Sequence, residues 1–183
     1  MKVERLAVPD LILVTPPRFG DERGFFSEVF KPAAFRDAGI GLPFVQDNQS
    51  LSRERGVIRG LHCQVAPHPQ GKLVRCVRGA IWDVAVDARA GSPTLGQWGA
   101  AELSAENWAQ LWVPPGFLHG FCTLQPDTEV LYKVTDVYDR ASERGVVWDD
   151  PTLALPWPIR PEEAVLSDKD KALPRWADAG VLF

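Results

Sequence analysis

The chain has 183 residues, 45% of them apolar and 24% charged. That balance predicts one folded domain over 1–183 and excludes an intrinsically disordered chain, because seven Trp and nine Phe supply a core. No apolar run approaches the roughly 20 residues that cross a bilayer, and a net charge of −4 argues against a nucleic-acid surface.

Sixteen Pro and fifteen Gly divide the chain into short segments, most of which read as strands. Strands are expected over 11–15 and 24–30, and one short helix over 32–38, with Pro32 in its first turn and Gly39 after it. Further strands follow over 44–51, 57–64, 72–77, 80–87, 110–113, 120–124 and 128–136. A second helical turn falls near 174–179. Closely spaced strands without intervening helices point to an all-β antiparallel barrel or sandwich. Its core is expected over about 44–136, with the N-terminal strands and the C-terminal segment packed on it.

Two segments alternate clearly. Trp82, Val84 and Val86 share one face, with Asp83 and Asp87 on the other. Val130, Tyr132 and Val134 share a face opposite Glu129, Leu131 and Lys133, which turns Tyr132 toward the barrel interior and calls for a partner for its hydroxyl.

Three cysteines (Cys63, Cys76 and Cys122) cannot all pair, and Met1-Lys2-Val3-Glu4-Arg5 leads into no apolar stretch of signal type. A reducing cytoplasm is the expected location. Fourteen Arg against six Lys suits two-pronged binding of anions, although a genome rich in G and C gives the same bias.

Two of the three histidines sit in Gly-containing segments, His62 after Arg59-Gly60-Leu61 and His119 within Pro114-Pro115-Gly116-Phe117-Leu118-His119-Gly120, while His68 lies in a solvated Pro-flanked loop. The Pro-x-Gly-x-x-His spacing is half of the cupin signature. The other half needs His-x-His, and the chain reads His62-Cys63-Gln64 there, which leaves too few ligands for a metal.

A series of motifs then occurs in order: Asp21-Glu22-Arg23-Gly24-Phe25-Phe26-Ser27-Glu28, Gln46-Asp47-Asn48, Arg59-Gly60-Leu61-His62, Gly71-Lys72-Leu73-Val74-Arg75-Cys76 and Asp83-Val84-Ala85-Val86-Asp87. Ser92-Pro93-Thr94-x-Gly96, Leu103-Ser104-Ala105-Glu106-Asn107, Pro115 to Phe121, Tyr132-Lys133, Trp148-x-Asp150-Pro151 and Leu166-Ser167-Asp168-Lys169-Asp170 follow. Over about residues 8–174 the chain resembles the dTDP-4-dehydrorhamnose 3,5-epimerases, metal-free enzymes with a cupin-like double-stranded β-helix, or jelly roll.

The resemblance implies roles residue by residue. His62 matches a general base, Asp170 the carboxylate that orients it, Tyr132 an acid on the other face of the sugar and Lys72 the cation beside the C4 carbonyl. Arg23, Glu28, Gln46, Asp47, Asn48, Arg59, Lys72, His119, Glu143 and Lys169 match substrate-binding positions, and Tyr138 the ring that stacks on thymine. It further implies dTDP-4-dehydro-6-deoxy-D-glucose as substrate, no cofactor, and a homodimer in which the region of Arg23–Glu28 serves the neighbouring site. Inverting a carbon beside a ketone requires a base, an acid on the opposite face and a group that stabilises the enolate, which these residue types provide.

Singly, each has an ordinary structural explanation: Lys72 as a strand-edge lysine, Asp170 as a loop or helix-cap acid, Arg23-Gly24 as a turn, Lys169 as a surface charge. An epimerase acting at C3 or C5 alone, a 3,4-ketoisomerase, a non-catalytic nucleotide-sugar-binding cupin and a metal-dependent cupin oxygenase are the alternative readings. Cys63 stands where relatives more often carry an aromatic residue, and should face away from the base. Arg59 and His62 have opposite strand parity, so both reach one ligand only if the strand bulges or twists between them, with Gly60 the expected place.

Overall fold

A short strand with alternating faces hides its apolar side only when a second layer covers it. The computed structural model, which describes residues 1–180 and 182–183, meets this need with two antiparallel sheets packed face to face. One sheet has the order β1 (Lys2–Arg5), β2 (Ile12–Thr15), β10 (Gln110–Val113), β7 (Lys72–Arg78), β12 (Thr128–Val134) and β5 (Gln46–Ser52). The other runs β13 (Glu143–Gly145), β6 (Ile58–Gln64), β11 (Phe117–Thr123), β8 (Ala80–Asp87) and β9 (Trp98–Ser104). From β5 onward the chain passes repeatedly between the sheets, the path of the expected jelly-roll barrel.

Between the sheets pack Val74, Leu111 and Val130 from one side and Ile81, Leu103 and Phe117 from the other. Tyr132 joins the edge of this cluster, as the alternation of β12 requires. On β8 the alternation sends Val84 and Val86 to the outer face of the five-stranded sheet. There the C-terminal segment covers them with Leu153, Leu155 and Leu182, and Trp157 meets Trp82 edge-on at 5.0 Å. Helix α1 (Pro32–Asp37) places Phe35 over Ile12, Val14 and Trp112 on the outer face of the six-stranded sheet.

Several expected bounds change. The strand over 24–30 stops at Phe26, because its partner β3 (Phe19–Asp21) gives β4 (Gly24–Phe26) only three residues to pair with. The turn near 174–179 is a 3-10 turn over Trp176–Asp178. Strand β9 was not legible: Gly99-Ala100-Ala101 lacks β-branched residues, and Gly99 is small because a Cβ there would come within 2.9 Å of Leu11. Helix α2 (Asp168–Lys171) also escaped the pattern search, although Ser167 caps it by accepting from the Asp170 amide at 3.1 Å.

The bulge expected at Gly60 is present. His119 pairs with His62 and Phe121 with Arg59, so three steps on β6 face two on β11. Gly60 has φ +113°, and a Cβ there would lie 2.6 Å from the His119 carbonyl oxygen. The extra residue cancels the parity difference, and Arg59 and His62 line one cavity.

Candidate active site

The cavity is lined by residues of both sheets and has a volume of about 460 Å3. Strand β6 contributes Arg59 and His62, β7 Lys72, β11 His119, β12 Tyr132, and α2 Lys169 and Asp170. His62 and His119 belong to the five-stranded sheet, whereas Lys72 and Tyr132 belong to the facing one. Groups suited to take and to give a proton therefore project from opposite walls.

His62 is held from α2. Its Nε2 lies 2.7 Å from Asp170 Oδ1, with the oxygen off the ring N–H direction, so that neither atom has a linear hydrogen-bond partner. Burial works to raise the Asp170 carboxyl; contact with His62 and the Ser167 hydroxyl, 2.9 Å away, outweighs it and leaves the acid below its ordinary value. An ionised Asp170 on Nε2 favours the tautomer with the proton on that nitrogen and leaves Nδ1 with a free lone pair.

The Lys72 amine donates to the His62 carbonyl at 3.4 Å. Burial lowers its pKa, with Cys63, Asp83 and Glu143 pulling the other way. Burial likewise raises the Tyr132 phenol, opposed by Arg59. The hydroxyl partner expected for Tyr132 does not occur among the described residues, which leaves that group to a ligand in the cavity. His119 Nε2 lies 3.0 Å from both oxygens of Asp83, a fully buried carboxylate. Cys63 lies in the apolar cluster beneath the C-terminal segment, and burial lifts its thiol to about 11, so it stays protonated.

A smaller recess of about 150 Å3 adjoins the cavity and shares His62, Lys72 and Tyr132 with it. Asn48, directly across from Tyr132 on β5, lines it together with Tyr138 and Glu143. Gln46 stands behind, donating to Asn48 Oδ1 at 2.8 Å and accepting from the Tyr138 amide at 3.4 Å. The Tyr138 hydroxyl donates to Glu143 Oε2 at 2.9 Å, and Lys169 donates to Oε1 at 2.6 Å. Burial favours a neutral Glu143, but these two donors hold its carboxyl below the ordinary value. Lys169, which alone reads as a surface charge, is committed to this contact.

Three expected residues lie apart. Asp47 points to the outer face of β5, where it accepts from Lys133 at 2.9 Å. Arg23 lines a groove within the hairpin of β3 and β4, and Glu28 meets Lys31 at 4.0 Å; neither lines the cavity of its own chain. His68, expected in solvent, places Nδ1 3.3 Å from Asp136. Two residues of the site escaped the sequence reading. Ser50 lines the cavity with a buried, unpartnered hydroxyl, and shares the parity of Gln46 and Asn48 that would have signalled it. Asp83 supports His119 from an apolar strand in which its charge was itself the signal.

The sequence profile of the dTDP-4-dehydrorhamnose 3,5-epimerases matches residues 5–178. A dTDP-4-dehydrorhamnose 3,5-epimerase of Sinorhizobium fredii is 51% identical over 183 residues, covering 100% of this chain and 93% of that protein. The crystal structure of the Bacillus anthracis enzyme of that name, with TDP and PPi bound, superposes with a TM-score of 0.91 at 49% identity, over 95% of this chain and 98% of that one. The Legionella pneumophila dTDP-6-deoxy-D-glucose-3,5-epimerase, in complex with dTDP-4-keto-L-rhamnose, has a TM-score of 0.89 at 43% identity, over 96% of this chain and 98% of that one. With the barrel, the motif series and the His62 cavity already in agreement, these matches establish that the chain belongs to the dTDP-4-dehydrorhamnose 3,5-epimerase family.

Proposed function

We propose that the protein converts dTDP-4-dehydro-6-deoxy-D-glucose into dTDP-4-dehydro-L-rhamnose by inverting C3 and C5. The observation that carries this reading is the His62–Asp170 pair at 2.7 Å on one wall of a cavity whose facing wall holds Tyr132 and Lys72. His62 takes the proton from a carbon beside the C4 ketone, and the electron pair moves onto the C4 oxygen as an enolate. The Lys72 ammonium stabilises that oxygen, and Tyr132 returns a proton to the opposite face of the carbon. A proton beside a ketone is acidic enough for this chemistry to run without a cofactor.

Arg59, His119, Asn48 and Gln46 serve substrate binding in this reading, and the exposed Tyr138 ring stacks on the thymine base. The ligands named for the Bacillus and Legionella relatives, TDP and dTDP-4-keto-L-rhamnose, support this substrate class. We also infer that the whole chain works as one domain and pairs into a homodimer, with Arg23 and Glu28 serving the partner's cavity. Support for the pairing comes from the exposure of Phe19, Phe25 and Phe26 on the hairpin that carries Arg23. Three unpaired, buried cysteines fit a reducing cytoplasm. Among the described residues no helix is long and apolar enough to cross a membrane.

Incubation with dTDP-4-dehydro-6-deoxy-D-glucose in D2O, followed by proton NMR, tests the reading. Deuterium at both C3 and C5 is expected. Deuterium at one carbon would reassign the protein to a single-site epimerase, and none at either carbon despite tight binding would leave only a binding protein.

A further inference from the structure

Glu143 occupies a place that contact with substrate alone does not explain. Both its oxygens are engaged, Oε2 by the Tyr138 hydroxyl at 2.9 Å and Oε1 by Lys169 at 2.6 Å. The same Oε1 lies 4.0 Å from His62 Nδ1, on the side of the ring away from Asp170. Strand β13 sets this geometry by pairing with β6, Gly145 opposite His62 and Glu143 opposite Gln64, so the carboxylate reaches back along the strand toward the base.

We propose that Glu143 is a positioning residue for His62 that couples the nucleotide-docking ring of Tyr138 to proton abstraction. The inference rests on the function proposed above and deepens it. With Asp170 on Nε2, the nitrogen that accepts the substrate proton is Nδ1. When the C–H bond breaks, its proton goes to Nδ1 and its electron pair to the C4 oxygen, and the resulting imidazolium carries its new N–H toward Glu143. A carboxylate at that distance stabilises the imidazolium formed in this step more than the neutral ring. The Tyr138 hydroxyl and the Lys169 ammonium fix where that carboxylate stands. A thymine base stacked on Tyr138 restrains the ring and, through its hydroxyl, the carboxylate.

The other charged or titratable groups around His62 are Lys72 from β7, Tyr132 from β12, Lys169 from α2, His119 from β11 with Asp83 of β8 behind it, and Arg59 on β6 itself. Around Glu143 stand Tyr138, Lys169, His62 and, at longer range, Lys72 and Cys63. Among the acids, only Asp170 and Glu143 come within 4.0 Å of the His62 ring nitrogens among the described residues.

Two substitutions test the coupling in the full-length enzyme. Glu143→Gln keeps an acceptor for Tyr138 and removes the charge. It is expected to move the acid limb of the pH–kcat profile to lower pH and to lower kcat about tenfold, with KM within about twofold. Tyr138→Phe keeps the stacking ring and removes only the hydroxyl; at this exposed position the fold is retained. It is expected to leave KM within about twofold and to lower kcat several-fold, whereas Tyr138→Ala raises KM. A Glu143→Gln enzyme with raised KM but unchanged kcat and acid limb overturns the proposal, as does a Tyr138→Phe enzyme with wild-type kcat. Wild-type enzyme that exchanges neither C3 nor C5 overturns the epimerase reading together with this one. Exchange by the wild type with unaltered variants overturns this one alone.

Discussion

At the scale of single residues, the wall from which each group projects sets its part in the proposed chemistry. His62 alone has a carboxylate 2.7 Å from one ring nitrogen and open cavity at the other, so the His62→Ala enzyme is expected to lose deuterium incorporation at both carbons, by about a thousandfold. In the proposed mechanism Tyr132→Phe removes the acid and leaves the base. The expected outcome is continued wash-in of deuterium on the His62 face with inverted product nearly absent, read by the same NMR experiment; full inversion by Tyr132→Phe would assign the acid elsewhere. A different residue carries stability. Asp87 is fully buried and accepts from the Arg89 side chain at 2.7 Å, from the Ser92 hydroxyl at 2.5 Å and from Thr94 at 2.6 Å. Burial opposes its ionisation, but these donors win and hold the carboxyl far below its ordinary value. A folded-state value below the unfolded one contributes stability above about pH 4 that is lost as pH falls. Asp87→Ala is expected to cost about 3 kcal/mol at neutral pH by leaving Arg89 without its buried partner. The difference from wild type should shrink in acid, measured by denaturant unfolding at pH 7 and pH 3.

At the scale of elements, the bulge in β6 joins fold to function. A Cβ on Gly60 meets the His119 carbonyl at 2.6 Å, and the residue sits at φ +113°, where side chains other than hydrogen are strained. Gly60→Ala is expected to destabilise the protein by about 2 kcal/mol. It should also lower turnover, since any local relaxation displaces Arg59 and His62 relative to one another. A thermal melt and a rate measurement check both, and a variant of wild-type stability and activity would show the bulge to be tolerant. This element was legible before the structure because two residues of opposite parity were both expected at one site. Strand β9 and helix α2 were not: the first has a Gly-Ala-Ala stretch whose Gly99 leaves room for Leu11, and the second spans four residues, too few for a hydrophobic period to declare itself. The site was legible in its polar residues that face inward, His62, Lys72, Tyr132 and Asp170. It was illegible at Ser50, an ordinary polar residue on a strand, and at Asp47, whose neighbours' roles did not reveal that its own side chain faces Lys133.

At the scale of the whole molecule, one chain does not bring all the expected residues to its own cavity. Arg23 rides on the hairpin of β3 and β4, which is anchored by Phe25 against Trp108 at 4.9 Å and leaves Phe19 and Phe26 facing solvent. If the hairpin serves a second copy, the two defects of Arg23→Ala and His62→Ala fall in the same site of a mixed dimer and leave its other site intact. A chain with intact His62 but altered Arg23 then receives a native Arg23 from its partner, whereas the other site of that dimer carries both defects. Random re-pairing of equal amounts makes half the dimers mixed, so activity at limiting substrate is expected to return to about a quarter of wild type. The measurement is a rate assay on the two purified variants, separately and after co-refolding. Rescue near that fraction requires sites shared between chains, and activity no greater than the average of the separate variants would place Arg23 in the service of its own chain.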